Sequence, residues 1–168
     1  MHGIQISREK RNLGWPGAAK LIRRAVKTAL KAQGIRDDCS VSVLLTDDAG
    51  IRAVNLAQRG IDAPTDVLSF PLNTLTEGAF DPEACEYDYE TDRLALGDMV
   101  LNLERCARQG EEYGHGFDRE ISYLTVHSVL HLLGYDHLDE GPQKRRMRAR
   151  EKAIMALLTG AEEGETEA

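Results

Sequence analysis

The segment 121–133 reads ISYLTVHSVLHLL and is apolar around most of a helix. A helix of this kind must be covered by other elements, so we expect the segment to be largely buried. It carries His127 and His131, which lie one turn apart on the same face because a helix has about 3.6 residues per turn. Burying two adjacent imidazoles is costly unless something pairs them, and a divalent metal would do so. The helix therefore predicts a metal site inside the fold.

A third histidine, His137, follows six residues after His131. If the helix simply continued, its side chain would point away from the first two. Gly134 can take the left-handed conformation that ends a helix, and the chain can then turn back. Any one of these histidines alone would more often be a core or surface residue with a satisfied hydrogen bond. Together they predict one zinc ion per chain held by His127, His131 and His137, with the open fourth position of a catalytic site.

The same ligand spacing occurs in metallopeptidases with the pattern HExxHxxGxxH. Those enzymes need a glutamate directly after the first histidine as the general base for the attacking water. Ser128 occupies that position here, and its hydroxyl cannot replace a carboxylate base. A peptidase thus remains an alternative that the residue at position 128 disfavours.

Length and composition are typical of one domain, since 168 residues suffice to bury a sizeable core. Cys39, Cys85 and Cys106 are odd in number and scattered, which favours a reducing cytoplasm over a disulfide framework. No apolar run is long enough to span a membrane, and residues Met1–Trp15 do not show the charged-then-apolar pattern of a secretory leader. The net charge of −7 is concentrated in two segments, 76–92 and 161–168; elsewhere basic residues outnumber acidic ones, 21 to 17. The charge therefore does not exclude a polyanionic substrate.

Short β-branched runs alternate along the chain with amphipathic helical stretches. Strands are predicted at 2–6, 40–46, 67–70 and 94–100, and helices at 16–33, 49–58, 101–112, 118–133 and 142–158. Gly97 inside a strand predicts a bulge or a close approach, and 76–92 is interpreted as a surface loop of low order. The order predicts one α+β domain over 1–158, a small mixed β-sheet packed with several helices around a zincin-like three-histidine site. An acidic disordered tail is expected at 159–168.

The first long helix carries a row of basic residues with helical spacing. Two interpretations remain open: an ordinary solvated face, which amphipathic helices usually show, and a surface that attracts RNA phosphates. The residues of this row, here called the α1 basic face, are Lys20, Arg23, Arg24, Lys27 and Lys31.

Three blocks resemble the YbeY family of metal-dependent single-strand endoribonucleases. The first is N-x3-R-x2-D-x-PTDVLSFP over 55–71, and the second is LGD at 96–98. The third runs from Arg119-Glu120 through the three histidines, with Met147 and Glu151 further on. The family usually has glycine after the first ligand, where this chain has Ser128, a small residue that we expect to fit.

The resemblance implies His127, His131 and His137 as zinc ligands and Arg59 as the catalytically important arginine beside the metal. From the residues alone, two interpretations of Arg59 are equally good: a catalytic residue, and an exposed residue that closes the preceding helix. Thr65 and Asp66 are interpreted first as cap and turn residues, and second as substrate contacts. Lys20, Arg23, Arg24 and Lys27 are candidate substrate-binding residues.

The resemblance also implies a biological role. It implies 3′-end maturation of 16S ribosomal RNA, ribosome quality control, and partners among a single-stranded rRNA precursor, the ribosome and small-subunit proteins. We expect no membrane or DNA partner. A non-catalytic ribosome assembly factor with a structural metal is the other alternative, which three histidines without a fourth protein ligand disfavour.

Overall fold

The fold is known from a computed structural model that describes residues 1–136 and 141–167, with side chains described through Gly160. Strands and helices alternate along the first half of the chain, and the second half is mainly helical. The strands are β1 (Gly3–Arg8), β2 (Cys39–Thr46), β3 (Val67–Pro71), β4 (Glu86–Asp88) and β5 (Arg93–Asn102). The helices are α1 (Ala18–Ala32), α2 (Asp48–Arg59), α3 (Leu103–Glu112), α4 (Gly116–Leu132) and α5 (Pro142–Glu167), and a short 3₁₀ turn spans Pro82–Ala84.

The sheet is mixed, in the order β1-β2-β5-β3, with β4 paired to β5 beyond the end of β3. The strands β1, β2 and β5 run parallel, whereas β3 and β4 run antiparallel to β5. This confirms the predicted α+β domain with a small mixed sheet and several helices.

Apolar side chains divide between the two faces of the sheet. Met99 and Leu101 point into the main core, which α1, α4 and α5 cover. Val100 lies between them in sequence and points to the opposite face, where it packs with Ile51 of α2 and Leu68 of β3. Helix α4 is buried almost all round, as its sequence predicted, because α1, α3, α5 and β3 all contact it.

Gly97 marks the irregularity expected in β5. The register of β5 against β2 shifts there, so that Ser40 pairs with Ala95 and Val41 with Gly97. Its φ is 145°, and a Cβ atom would lie 2.4 Å from the carbonyl oxygen of Phe70. The predicted bulge and the predicted close approach are both present.

The acidic stretch 76–92 is better organised than its composition indicated, and the prediction of a loop of low order was wrong. It contains the 3₁₀ turn and β4, which pairs Glu86, Tyr87 and Asp88 with Ala95, Leu94 and Arg93. Asn73, just before this stretch, fixes the chain to β5, because its side-chain amide donates to the carbonyl of Ala95 at 2.9 Å. Most of the seven acidic residues in this stretch are exposed, and the side chain of Glu77, which is only 18% exposed, pairs with Arg146 at 2.7 Å.

The final helix extends beyond its predicted end at residue 158, to Glu167. The end of the folded domain at residue 158 and the disorder of the acidic tail over 159–168 stay predictions. None of the helices in the described ranges combines the length and hydropathy that crossing a membrane requires.

Candidate active site

His127 and His131 come together on one face of α4. Their Nε2 atoms are 3.1 Å apart, and the two ring planes meet at 80°. Two nitrogen ligands of a tetrahedral zinc are separated by about 3.3 Å, as their usual bond lengths dictate. The separation of the two nitrogens is therefore compatible with both of them ligating one metal ion.

A buried carboxylate sets the tautomer of His127. Its Nδ1–H donates to Oε2 of Glu151 at 2.5 Å, and the side chain of Glu151 is only 6% exposed. The other carboxylate oxygen accepts a hydrogen bond from the hydroxyl of Tyr123 at 3.1 Å. With Nδ1 engaged by the carboxylate, Nε2 is the nitrogen of His127 that would ligate a metal, as in carboxylate–histidine–zinc arrangements.

Tyr123 remains a hydrogen-bond donor over a wide pH range. Burial raises the pKa of its hydroxyl, and the neighbouring Glu151 carboxylate raises this pKa further. A tyrosinate would place a second negative charge against Glu151, so the neutral phenol is favoured. Tyr123 thus orients the carboxylate of Glu151, which in turn orients the ring of His127.

The chain turns away from α4 at Gly134, where φ is 98°. A Cβ atom at this position would lie 2.3 Å from the carbonyl oxygen of Leu75, so the turn has room only for glycine. His137, the third predicted ligand, lies outside the described residues. Within those residues, no group of three His, Cys, Asp or Glu side chains forms a metal cluster. The helix break that would return the third ligand is therefore present.

The histidine pair opens into a cleft of about 470 Å³, here called the catalytic cleft. Arg59, the last residue of α2, lines the same cleft although it lies far from the histidines in sequence. Arg59 is exposed and has no hydrogen-bond or ion-pair partner among the residues whose side chains are described. Gly60, in the left-handed conformation, closes α2 through its backbone N–H, and the catalytic role of Arg59 stays a prediction. The other lining residues are Thr65, Asp66, Val67, Leu68, Ser69, Pro71 and Asp136.

The loop between α2 and β3 is held in place by side chains on both sides of it. Buried Asn55 donates to the carbonyl of Ala63 at 2.9 Å, and Asn102 donates to the carbonyl of Thr65 at 3.0 Å. Asp66 caps the start of β3 by accepting from the amide of Val67 at 2.7 Å. Both proposed interpretations of Thr65 and Asp66 are thus compatible with the geometry, since these residues form the turn and also line the cleft.

Comparison with known proteins agrees with this architecture. A sequence profile described as endoribonuclease YbeY matches residues 4–159. The chain belongs to the YbeY family. Proteins named endoribonuclease YbeY from Thermoanaerobacter sp. and Clostridium perfringens are 45% and 43% identical to it, and each alignment covers 83% of this chain and 86% of the relative. A solution structure of a Thermotoga maritima protein matches with a TM-score of 0.60 at 24% identity, covering 96% of this chain and 93% of that one, which supports the fold.

Ser128, the departure from the usual YbeY pattern, lies in the protein interior and is not among the residues that line the catalytic cleft. The residue is fully buried, and its hydroxyl lies 2.6 Å from that of Ser69 on β3. Its side chain therefore links α4 to the edge of the sheet. A buried hydroxyl with this partner has no means of activating water as a glutamate does in the peptidases.

The α1 basic face does not meet the catalytic cleft. Lys20, Arg23, Arg24 and Lys27 line a separate, shallow surface formed by α1 itself, and no α1 residue is among those that line the cleft. Arg23 and Arg24 also donate to backbone carbonyls of Ile4 and Leu158. The role of this face in substrate binding stays a prediction.

Glu151 and Tyr123 are the members of this YbeY site to which sequence reasoning assigned no role. A signal was available, because Glu151 occupies the apolar stripe of α5 that also includes Met147, Ile154 and Leu158. An acidic residue at a core position needs a buried partner. The identity of that partner depends on how α5 packs against α4.

Proposed function

We propose that this chain is a zinc-dependent endoribonuclease that cleaves single-stranded RNA. The observation that carries the proposal is a shared cleft. Arg59, whose guanidinium has no partner among the described residues, lines the same space of about 470 Å³ as the histidine pair, His127 and His131. The names of the YbeY relatives, which share more than two-fifths of their aligned residues with this chain, support RNA as the substrate.

His127 and His131 would hold the metal, and we propose His137 as the third ligand. A bound zinc would supply Lewis acidity, withdrawing electron density from a phosphate oxygen and lowering the pKa of water in the cleft. Glu151 engages Nδ1 of His127 and so directs Nε2 toward the metal position.

Arg59 would act directly on the phosphodiester. Its planar guanidinium donates two hydrogen bonds to phosphate oxygens and stays charged at every physiological pH. Charge accumulates on those oxygens as phosphorus becomes five-coordinate, so a fixed cation stabilises the transition state more than the ground state. Because no described carboxylate pairs with Arg59, its charge is available to the substrate.

The biological substrate we propose is the ribosomal RNA precursor. The expected roles are 3′-end maturation of 16S rRNA and ribosome quality control, carried out with the small subunit and its proteins in the cytoplasm. All three cysteines are free thiols, and two of them are buried, which is compatible with a reducing compartment.

Cleavage of a defined single-stranded RNA by the purified protein tests the proposal. Activity should require zinc, disappear with a chelator and return when zinc is restored. The variant His131→Ala should lose both the metal and the activity, whereas Arg59→Glu should keep the metal and lose the activity. RNA cleavage that survives in both variants would indicate a contaminating nuclease and contradict the assignment.

The ends of the products identify the nucleophile. A 2′,3′-cyclic phosphate would show that the RNA's own 2′-hydroxyl attacks, whereas ordinary phosphate and hydroxyl ends would show attack by water. Casein serves as the control for the peptidase alternative, and we expect no turnover. Zinc-dependent casein hydrolysis without RNA cleavage would reverse the choice. Full zinc occupancy with neither activity would favour the non-catalytic assembly factor.

A further inference from the structure

A second cleft, of about 640 Å³, lies where the turn between α3 and α4 meets the outer face of α5. We call it the α4–α5 cleft. Its polar and aromatic lining comes from all three helical segments: Tyr113, His115, Arg119, Tyr123, Arg148 and Lys152.

Positive charge dominates the accessible lining of this cleft. Arg119, Arg148 and Lys152 are exposed, and none has a hydrogen-bond or ion-pair partner among the described side chains. The carboxylates of Glu120 and Glu151 also border the cleft, but these residues are only 2% and 5% exposed. The exposed lining thus consists of three cations without a described partner, and the two carboxylates beneath them are buried, so the cleft can bind an anion.

Both acidic side chains take part in internal hydrogen bonds. Glu120 lies 2.9 Å from His115 Nε2 through one oxygen and accepts from Gln109 at 2.7 Å through the other. Glu151 accepts from His127 and Tyr123. Each of the four carboxylate oxygens therefore already has an internal partner, and among the described residues neither carboxylate forms an ion pair with a cation at the rim.

The exposed ring of Tyr113 lines the same cleft as these cations. Tyr113 is 58% exposed, so its ring is accessible to a ligand. His115 packs edge-on against it, with ring centroids 5.9 Å apart, and so supports the tyrosine ring from one side. Aromatic rings next to cations are how proteins hold single-stranded nucleic acid without reading its sequence.

A smaller cavity of about 230 Å³ lies between the α4–α5 cleft and the catalytic cleft. It shares Tyr123, Arg148 and Glu151 with the first, and it shares His127 with the second. The α4–α5 cleft is therefore close enough to the histidine pair to receive a neighbouring part of the same RNA strand.

We propose that the α4–α5 cleft is a nucleotide subsite for the RNA segment adjacent to the scissile phosphate. A base stacks on Tyr113, and the phosphates beside it contact Arg119, Arg148 and Lys152. This inference rests on the proposed function and extends it, because it assigns the affinity for single strands to α5 and the α3–α4 turn. A paired duplex cannot offer an unstacked base to Tyr113, so the subsite also accounts for single-strand preference.

Binding to a fluorescein-labelled single-stranded RNA with 2′-O-methyl groups and phosphorothioate linkages, which resists cleavage, tests the cations. The double variant Arg148→Glu/Lys152→Glu should weaken Kd at least tenfold. It should also reduce the slope of log Kd against log salt by about 1.4, since each single-strand phosphate contact contributes about 0.7. The matched control is Arg36→Glu/Arg145→Glu, which makes the same charge change at exposed positions outside both clefts and should shift Kd less than about twofold.

The stacking contact has its own test and its own control. Tyr113→Ala should weaken Kd about tenfold, whereas Tyr113→Phe should bind normally, because the ring and not the hydroxyl makes the contact. Tyr89→Ala, at a tyrosine that is 88% exposed on the acidic hairpin, should have no effect. A 2-aminopurine base in the oligonucleotide should be quenched by the wild type and by Tyr113→Phe but not by Tyr113→Ala.

The outcomes separate this inference from the proposed function. If the wild type cleaves RNA while both sets of cleft variants bind like their controls, the subsite is wrong and the nuclease stands. If the wild type neither binds nor cleaves RNA, the proposed function fails first. Competition by polyglutamate as effective as that by RNA at equal charge would point to an acidic protein partner and overturn the inference.

Discussion

Glu151 organises the candidate metal site although it contacts no substrate. It fixes the tautomer of His127 through a hydrogen bond of 2.5 Å, and Tyr123 fixes its second oxygen. Partners of this kind raise the basicity of a histidine ligand and orient its ring. The affinity for zinc should therefore depend on Glu151, which contacts a ligand, His127, and not the metal itself.

Replacing Glu151 by glutamine tests this dependence. Glu151→Gln keeps the size of the side chain but removes its charge, so we expect zinc affinity to fall about tenfold or more while the fold is retained. Glu120→Gln is the matched control, because Glu120 is equally buried and lies next to His115 instead. Competition with a chromophoric chelator measures both affinities. Equal zinc affinity in the two variants would show that Glu151 does not tune the metal site.

Arg59 offers a contrasting prediction, since it should affect activity and not stability. Arg59→Glu should abolish most RNA cleavage and leave Tm within a few degrees, because the exposed guanidinium has no described partner to lose. Arg59→Lys should restore only part of the activity, since an ammonium lacks the bidentate fork. Arg36→Glu, with the same charge change outside the cleft, should cleave normally. A large fall in Tm for Arg59→Glu would favour a structural role.

At the level of elements, the end of α4 connects the core to the candidate metal site. Helix α4 is packed on nearly every side, so its two histidines have little freedom to move. Gly134 then redirects the chain past the carbonyl of Leu75. The position of everything after this turn depends on a backbone conformation that other residues rarely adopt.

Substitution at this turn should therefore affect both stability and metal binding. Gly134→Ala places a methyl group 2.3 Å from the oxygen of Leu75 at a φ of 98°, so we expect a loss of at least roughly 1–3 kcal/mol and weaker zinc binding. Gly160→Ala, in α5 with nothing within 4 Å, should leave stability unchanged or slightly raised. Urea denaturation and metal titration of both proteins provide the measurement. Normal zinc binding by Gly134→Ala would show that the turn does not position the third ligand.

For the whole molecule, the titrating groups predict a stability maximum between mildly acidic and mildly alkaline pH. Lys10 and the amide of Gly50 lower the pKa of Asp47, and Arg108 and Asn102 lower that of Asp48, below the ordinary 3.8. These carboxylates stabilise the fold above their unfolded pKa of 3.8, and the contribution is lost as the pH falls from there through their lowered folded values. At the other limit, burial raises the pKa of Cys39 from 9.0 to about 12 and also raises that of Tyr123 above 10.0. Their contribution is complete below the unfolded values and is lost as the pH rises from about 9 toward 12.

Thermal unfolding between pH 3 and pH 11 checks this profile. Tm should fall at both ends, and Tyr123→Phe should lessen the alkaline fall because phenylalanine has no proton to lose. Tyr89→Phe, at an exposed tyrosine, should keep the profile of the wild type. An alkaline limb that is identical in the two variants would remove Tyr123 from the explanation.

Much of this protein follows from local sequence pattern. The all-round apolar character of 121–133 determined that α4 would be central, and the spacing of His127 and His131 determined that they would share a face. Gly97 and Gly134 were identifiable because their conformational freedom is needed where they stand. Such features involve residues a few positions apart, so helix and strand geometry alone settles them.

Only the tertiary structure decided which distant residues meet. The carboxylate of Glu151 reaches His127 because α5 packs across α4, and Arg59 joins the histidine pair because β3 brings the end of α2 beside that helix. The acidic stretch became a hairpin strand because β5 offers it a free edge, which outweighs a composition typical of a loop. The two sets of basic residues also show what the sequence does not determine. The α1 basic face is visible in the sequence but lies away from the catalytic cleft. The cations of the α4–α5 cleft come from two helices, so they form a group only after those helices pack together. Periodicity determines which face of an element is apolar, but the partner of that face is chosen by the summed packing of the whole chain.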